Sequence, residues 1–251
     1  MRLALRLSAL GIAAAVLPFA VQAGESVTYS VGGADYEGYS APAEGDSKGL
    51  VLIIHDWDGL TGYEERRAEM LAAMGYDAFA VDLFGKGNRP ESVDDRRAET
   101  GKLYGDREKM RSLLMGGLQA ARERYSGQAV VMGYCFGGAA ALEMARAGQA
   151  DGIAGYVSFH GGLTTPEGQG YAASTPPLLI AHGGADSSVT MDHVADLSKE
   201  LEVAGITYEI QVYSGAPHAF TVFDSQAYRE VADTKSWQAF QDFLAANLVG
   251  S

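Results

Sequence analysis

The stretch that decides the fold is Ala129–Ala147, AVVMGYCFGGAAALEMARA. It begins with a short apolar run typical of a buried strand, and its second half is rich in good helix formers. Between them stands Gly133-Tyr134-Cys135-Phe136-Gly137-Gly138, which has the form G-x-C-x-G. A strand-to-helix turn of this form is a nucleophile elbow, in which glycines relieve crowding around a strained central residue. The sequence therefore predicts that Cys135 is exposed at the start of a helix.

Cys135 is the only cysteine in the sequence. A helix N-terminus favours the thiolate, which is the nucleophilic form of the side chain. Two other interpretations are a buried cysteine that acts as a small hydrophobic residue, and a glycine-rich turn that serves only helix packing. The strand before the turn and the helix after it favour a catalytic thiol.

Outside this stretch, short apolar runs alternate with segments of helical spacing. The runs predict strands at Leu50–Ile54, Ala78–Val81, Ala129–Met132, Ile153–Phe159, Leu178–Ala181 and, nearer an edge, Ile206–Tyr213. The other segments predict helices at Glu64–Met74, Arg107–Tyr125, Gly137–Ala147, Met191–Ala204 and Lys235–Leu248. Because each crossover must return over the sheet, this order predicts an α/β fold with a mostly parallel, doubly wound sheet.

The N-terminal part of the sequence has two distinct segments. In residues 1–23, Arg2 and Arg6 lie at the start, Leu7–Ala20 is an apolar run of about 14 residues, and Val21-Gln22-Ala23 follows it as a cleavage site for signal peptidase. This pattern predicts a cleaved signal peptide and an exported, periplasmic protein, because the run is too short for a stable membrane anchor. Val27–Tyr39 then alternates around Gly32-Gly33, which predicts a β-hairpin. We expect residues 24–251 to form a single domain.

The composition limits the possible partners. The chain has 19 Lys and Arg against 32 Asp and Glu, a net charge of −13, and 47% hydrophobic residues, which excludes a disordered chain. Loss of residues 1–23 would remove two arginines and no acid, which leaves 17 basic and 32 acidic side chains and a net charge of −15. No basic block is present, so we expect a small-molecule substrate and no nucleic acid. The composition makes no prediction of oligomeric state.

A thiol nucleophile needs a base, and the base needs an orienting group. The predicted strand Leu178–Ala181 leads to Asp186, and Ile206–Tyr213 leads to His218. The chain order nucleophile, acid, histidine is that of α/β-hydrolases, so Cys135, Asp186 and His218 are the predicted triad. The alternatives are a helix N-cap or Asx turn for Asp186 and a structural loop residue for His218.

Four further histidines remain: His55, His160, His182 and His193. Their spacing resembles no metal-ligand pattern, so we expect neither a metal nor another cofactor. His160 and His182 are interpreted as strand-end residues that bond backbone groups, and His193 as a solvated helix residue.

The sequence resembles the dienelactone hydrolase family of α/β-hydrolases over most of the predicted mature chain. The motifs are I-H-D-W-D-G at Ile54–Gly59, D-L-F at Asp82–Phe84, G-Y-C-F-G-G at Gly133–Gly138, S-F-H-G-G at Ser158–Gly162, H-G-G-A-D at His182–Asp186 and P-H-A-F at Pro217–Phe220. The segment Ala227–Phe243 also resembles the closing helix of the family. Cysteine at the elbow is the most specific feature, since most α/β-hydrolases have serine there.

The resemblance implies the α/β-hydrolase fold and a mechanism. Cys135 would attack an ester or lactone carbonyl, with the oxyanion held by backbone N–H groups of Trp57 and Phe136. His218 would then activate the water that hydrolyses the thioester. Asp56 stands where the family usually has glutamate, a residue that modulates the resting thiol.

Substrate binding is where the sequence departs from the family. The family's two carboxylate-binding arginines correspond to Lys86 and Val222, and Arg89 is a nearby candidate. Because lysine does not reproduce bidentate arginine binding and valine carries no charge, we expect a small ester, lactone or acyl conjugate other than dienelactone.

The sequence thus predicts a cysteine-dependent carboxylic ester hydrolase. The alternatives are a catalytically silent small-molecule-binding protein on the same fold, and a free-thiol redox protein. A peptidase is a variant of the hydrolase prediction.

Overall fold

The computed structural model describes residues 24–248. Its strands are β1 Glu25–Val31, β2 Ala34–Ala41, β3 Leu50–Ile54, β4 Asp77–Val81, β5 Ala129–Tyr134, β6 Ile153–Phe159, β7 Leu178–Gly183 and β8 Tyr208–Tyr213. Its helices are α1 Gly62–Ala73, α2 Val93–Gly105, α3 Arg107–Arg122, α4 Phe136–Ala147, α5 Met191–Ala204 and α6 Glu230–Asn247. The predicted signal peptide, residues 1–23, lies outside the described residues.

All the strands belong to one sheet with the order β1-β2-β4-β3-β5-β6-β7-β8. From β4 to β8 each neighbouring pair is parallel, whereas β2 pairs antiparallel with both β1 and β4. The mostly parallel sheet is confirmed, and β8 is an edge strand as its alternating pattern predicts. The predicted hairpin is also present, with Val31 opposite Ala34 across Gly32-Gly33. Both glycines have positive φ, 59° and 82°, as a two-residue hairpin turn requires.

The sheet is covered on both faces. One apolar cluster joins Leu50, Leu52 and Ile54 of β3 to α3, α4 and α5, and a second joins Val51 and Ile53 of β3 to α1 and α6. Successive residues of a strand point to opposite faces, so a strand buried on both sides is apolar throughout. This is the physical reason that the continuous apolar runs predicted the central strands.

The structure adds one helix to the predicted set, α2. Its buried residues are Thr100 and Leu103, so it lacks a continuous apolar stripe. Gly101 and Gly105 also lower its helix propensity. A start signal was present in the sequence, because the Ser92 side chain accepts a hydrogen bond from the Asp95 N–H and caps the first turn.

Within residues 24–248, none of the helices combines the length and the apolar character needed to cross a bilayer.

Candidate active site

Cys135 occupies the tight turn between β5 and α4. Its backbone has φ 49° and ψ −109°, a conformation that residues other than glycine rarely adopt. Its N–H donates to the Phe159 carbonyl at 3.0 Å, which fixes the turn against the next strand. A Cβ on Gly137 would overlap the backbone carbonyls of Ile54 and His55. The glycine therefore allows the helix to approach the sheet closely and hold the strained residue in place.

The structure brings Cys135, Asp186 and His218 together, although 83 residues separate Cys135 from His218. His218 Nε2 lies 3.0 Å from Cys135 Sγ, and His218 Nδ1 lies 2.7 Å from Asp186 Oδ2. Because an ionised carboxylate only accepts hydrogen bonds, Nδ1 carries the imidazole proton and Nε2 accepts from the thiol. The arrangement is an acid, a histidine and a nucleophile in hydrogen-bond reach.

Asp186 also forms an Asx turn, which was the alternative role for this residue. Its Oδ1 accepts from the N–H groups of Ser188 at 2.8 Å and Val189 at 2.9 Å. Burial alone would raise the pKa of Asp186, but the hydrogen bonds from His218 and from these amides hold it below its ordinary value. Asp186 is therefore ionised at neutral pH and rigidly placed beneath His218.

The resting Cys135 side chain is a thiol. Burial raises its pKa well above the ordinary value, and the negative charge of Asp56 raises it further. The Phe136 N–H at the start of α4 acts in the opposite direction but is outweighed. The helix N-terminus favours the thiolate, as the sequence predicts, but burial and the neighbouring carboxylate outweigh it.

Asp56 is a buried carboxylate next to this thiol. Its Oδ1 accepts from the Trp57 N–H at 2.5 Å, and its own N–H donates to Glu64 Oε1 at 3.3 Å. Burial and the nearby charge of Asp58 raise the pKa of Asp56 to about 6. Burial likewise raises the pKa of Glu64 to about 8. The Trp57 amide, a predicted oxyanion donor, is thus already engaged by the neighbouring side chain.

A buried polar network supports the loop that carries His218. His160 Nε2 lies 2.8 Å from Thr221 Oγ1, which lies 2.7 Å from the Tyr63 hydroxyl. Arg67 donates to the Thr221 carbonyl at 3.0 Å. The His160 ring packs edge-on against His218, with centroids 5.3 Å apart. His160 therefore bonds a side chain, not the backbone group expected from the sequence, and it forms one wall around the His218 ring.

The other histidines have structural contacts. His55 Nε2 accepts from the Leu83 N–H at 3.1 Å, and His193 Nδ1 accepts from the Thr190 N–H at 2.9 Å, which caps α5. His193 is therefore a capping residue and not simply a solvated one. Both ring nitrogens of buried His182 lack a hydrogen-bond partner among residues 24–248, so the expected backbone bond is not formed. In the same part of the chain, no group of three His, Cys, Asp or Glu side chains is placed to hold a metal ion.

The structure places Lys86 and Arg89 in other contacts. Lys86 Nζ lies 2.8 Å from Thr28 Oγ1 and 3.4 Å from the Glu37 carboxylate, both on the β1–β2 hairpin. Arg89 Nη1 donates to the Asn88 carbonyl and lies 3.6 Å from Asp82 Oδ1. Neither side chain is bonded to the triad.

Helix α2 supplies site residues that the sequence reasoning missed. The Arg96 guanidinium lies 5.4 Å from the centre of the Trp57 ring, and the Tyr104 ring lies 5.4 Å from that of Phe136. These two residues pack on the side chains of the predicted oxyanion pair. The Ser92 capping signal would have indicated the helix, but not which residues it turns towards the site.

Comparison with known proteins agrees with this geometry. A sequence model of the dienelactone hydrolase family matches residues 37–248. A relative from Aquifex aeolicus (strain VF5) named carboxymethylenebutenolidase is 24% identical over 238 residues, covering 90% of this chain and 99% of the relative. A Bradyrhizobium protein named 2-oxo-3-(5-oxofuran-2-ylidene)propanoate lactonase is 24% identical over 80% of this chain and 84% of its own length.

A solved structure agrees as well. The dienelactone hydrolase-like promiscuous phosphotriesterase from metagenomic libraries superposes with a TM-score of 0.81 at 25% identity, over 89% of this chain and 98% of that one. Together, the α/β-hydrolase fold, the family match over most of the chain and the relatives' names indicate a hydrolase with a small-molecule substrate. The chain belongs to the dienelactone hydrolase family and is an ester or lactone hydrolase of that type.

Proposed function

We propose that this enzyme hydrolyses small esters or lactones through a Cys135–His218–Asp186 triad and a thioester intermediate. The observation that carries the proposal is the hydrogen-bonded chain from Sγ to Nε2 at 3.0 Å and from Nδ1 to Oδ2 at 2.7 Å. It joins a nucleophile, a base and an orienting carboxylate in the order that acyl transfer requires.

Acylation begins from the neutral thiol. As Sγ of Cys135 attacks the carbonyl carbon, Nε2 of His218 takes the thiol proton, and the charge moves to the carbonyl oxygen. The tetrahedral intermediate collapses to a thioester when the C–O bond to the leaving alcohol breaks, and His218 returns the proton to that oxygen. With a lactone, the released hydroxyl stays attached to the acyl group.

Deacylation reverses these roles. His218 takes a proton from water, the resulting hydroxide attacks the thioester carbonyl, and the C–S bond breaks. The departing sulfur recovers the proton from His218, and the carboxylic acid product leaves. Asp186 stays ionised throughout and stabilises the imidazolium that forms in each half-reaction.

The oxyanion would be held by the N–H groups of Phe136 and Trp57. The Phe136 amide is close enough to the sulfur to favour negative charge there, since it acts to lower the pKa of Cys135. The Trp57 amide becomes available when the substrate oxygen replaces Oδ1 of Asp56, which holds it at 2.5 Å. Asp56 would thus modulate both the thiol and one oxyanion donor.

Replacement of the nucleophile tests this proposal. Cys135→Ala should lower kcat/KM for a small aryl ester at least about 1000-fold, since triad members act as a unit. His218→Asn should cause a comparable loss, and both variants should keep the wild-type circular dichroism spectrum. A folded Cys135→Ala enzyme with wild-type turnover would overturn the triad.

We also propose that the enzyme is exported and that residues 24–251 form its mature single domain. Strand β1 begins at Glu25, directly after the predicted cleavage site. When the full chain is expressed in a bacterium, the periplasmic protein should begin at Gly24, as measured by N-terminal sequencing. Ala23→Phe, which places a bulky side chain at the cleavage position, should accumulate uncleaved precursor. Wild-type protein that retains residues 1–23 in the cytoplasm would contradict export.

A further inference from the structure

A cavity of about 210 Å³ lies beside the first turn of α4. Its lining residues are Tyr104, Arg107, Ala139, Arg146, Gly162 and Thr164. Ala139 is four residues after Cys135, and its N–H donates to the Cys135 carbonyl at 3.2 Å. Ala139, in the cavity wall, therefore lies about one helical turn along α4 from the elbow that carries the proposed nucleophile.

Tyr104 links this cavity to the site. Its ring packs against Phe136, the residue after the nucleophile, at 5.4 Å between centroids. Arg107 follows closely, at the first position of α3, and its Nε donates to the Tyr104 carbonyl at 3.1 Å. Tyr104 thus contacts both Phe136 and Arg107, the residue that carries positive charge into the cavity.

The charge beside the cavity is opposite to that of the protein as a whole. Three arginines converge on buried Glu143: Arg107 at 3.3 Å, Arg111 at 2.6 Å and Arg146 at 3.2 Å. Three arginines thus share one ionised carboxylate at this place. The chain as a whole carries a net charge of −13, so this cluster is a local exception.

Of the two arginines that line the cavity, only Arg107 combines a partly exposed side chain with a terminal nitrogen that has no hydrogen-bond partner among residues 24–248. Arg146 is almost fully buried and uses Nε, Nη1 and Nη2 on Gln169, Tyr171 and Glu143. Arg107 Nη2 has no hydrogen-bond partner among residues 24–248, and its side chain is 26% exposed. A guanidinium with a free donor at a cavity wall is suited to a carboxylate oxygen.

We propose that Arg107 binds a carboxylate of the substrate in this cavity and so determines which esters the enzyme prefers. The inference rests on the proposed triad, because it takes the reacting carbonyl to be at Cys135. It moves anion recognition away from Lys86, which is bonded to the hairpin, and Arg89, which is paired with Asp82. It assigns carboxylate binding to a position other than Lys86 and Val222, which correspond to the two arginines of the family.

Matched substrates separate this role from general activity. One pair is the p-nitrophenyl hemiester of adipic acid and the neutral ester in which an isopropyl group replaces the carboxylate. A second pair carries the same exchange on the alcohol side of the ester. For wild type, kcat/KM should favour the charged member of at least one pair. In Arg107→Gln this preference should fall about 10- to 100-fold, as expected for loss of one charge-assisted hydrogen bond, while the neutral esters keep their rates.

Arg111→Gln is the matched control. Arg111 also pairs with Glu143 and is 25% exposed, but it does not line the cavity. It should leave the preference unchanged, whatever it does to stability. Equal selectivity in wild type and Arg107→Gln for both pairs, or an equal loss in Arg111→Gln, would overturn the proposal. Loss of the neutral-ester activity in Cys135→Ala reports separately on the triad, so the two claims fail independently.

Discussion

The Cys135 thiol is influenced by two groups that can accept a proton, His218 and Asp56. His218 Nε2 is 3.0 Å from the sulfur, and the buried Asp56 carboxylate acts on it from another side. Asp56 is shorter by one methylene than the glutamate usual in the family, and it bonds the amide of the next residue, Trp57, at 2.5 Å. Burial and this carboxylate together favour the neutral thiol, and the same carboxylate accepts the hydrogen bond of the Trp57 amide.

This arrangement predicts how the thiol titrates. Because the negative charge of Asp56 raises the pKa of Cys135, Asp56→Asn should lower that pKa. The profile of the Cys135 alkylation rate by iodoacetamide against pH should therefore shift to lower pH in this variant. At neutral pH the variant should therefore react faster than wild type.

Asp58→Asn provides the comparison, since the Asp58 charge raises the pKa of Asp56 but is not among the main influences on Cys135. Its alkylation profile should move less than that of Asp56→Asn. Coincident profiles for wild type and Asp56→Asn would mean that Asp56 has only a structural role.

Among the elements, β5 and α4 carry the site because they meet at a strained residue. The contact depends on Gly137, whose hydrogen faces the carbonyls of Ile54 and His55 at the end of β3. Gly137→Ala should destabilise the fold by about 1–3 kcal/mol or more, since backbone atoms cannot move aside as a flexible side chain does. Thermal unfolding should show this as a Tm lower by roughly 2–4 °C per kcal/mol.

A glycine in α2 gives the opposite expectation. Gly101 has no atom within 4 Å of the position that a Cβ would take, and it lies inside a helix. Gly101→Ala should therefore raise the free energy of unfolding by about 0.4–1 kcal/mol. A similar loss of Tm in both variants would show that the close approach at Gly137 is not what the first substitution disturbs.

At the scale of the whole molecule, sequence periodicity predicted the sheet, and the residues that follow its strands predicted which side chains meet at the site. Buried parallel strands are apolar throughout, and the carboxyl ends of such strands meet at one edge, so Cys135, Asp186 and His218 could be placed together. Helix α2 was not predicted because it covers the site with few buried residues.

The side-chain partnerships could not be predicted in the same way. The bond of His160 to Thr221 and the convergence of Arg107 and Arg146 on Glu143 depend on rotamers and on packing between distant segments. Net charge was also a poor guide to the local arrangement of charge, because this strongly acidic chain gathers three arginines around one carboxylate beside a cavity. Composition gives the average charge of the protein, whereas the charge at a site depends on the few side chains around it.

The central claim is that catalysis passes through an acyl group on Cys135, and mass spectrometry tests it most directly. A p-nitrophenyl ester should acylate the enzyme quickly because its leaving group is good, so that hydrolysis of the thioester limits turnover. After a rapid acid quench, the peptide that contains Cys135 should carry the added mass of the acyl group, and hydroxylamine should remove it. An unmodified Cys135 peptide during active turnover, or acyl mass on another residue, would contradict the account.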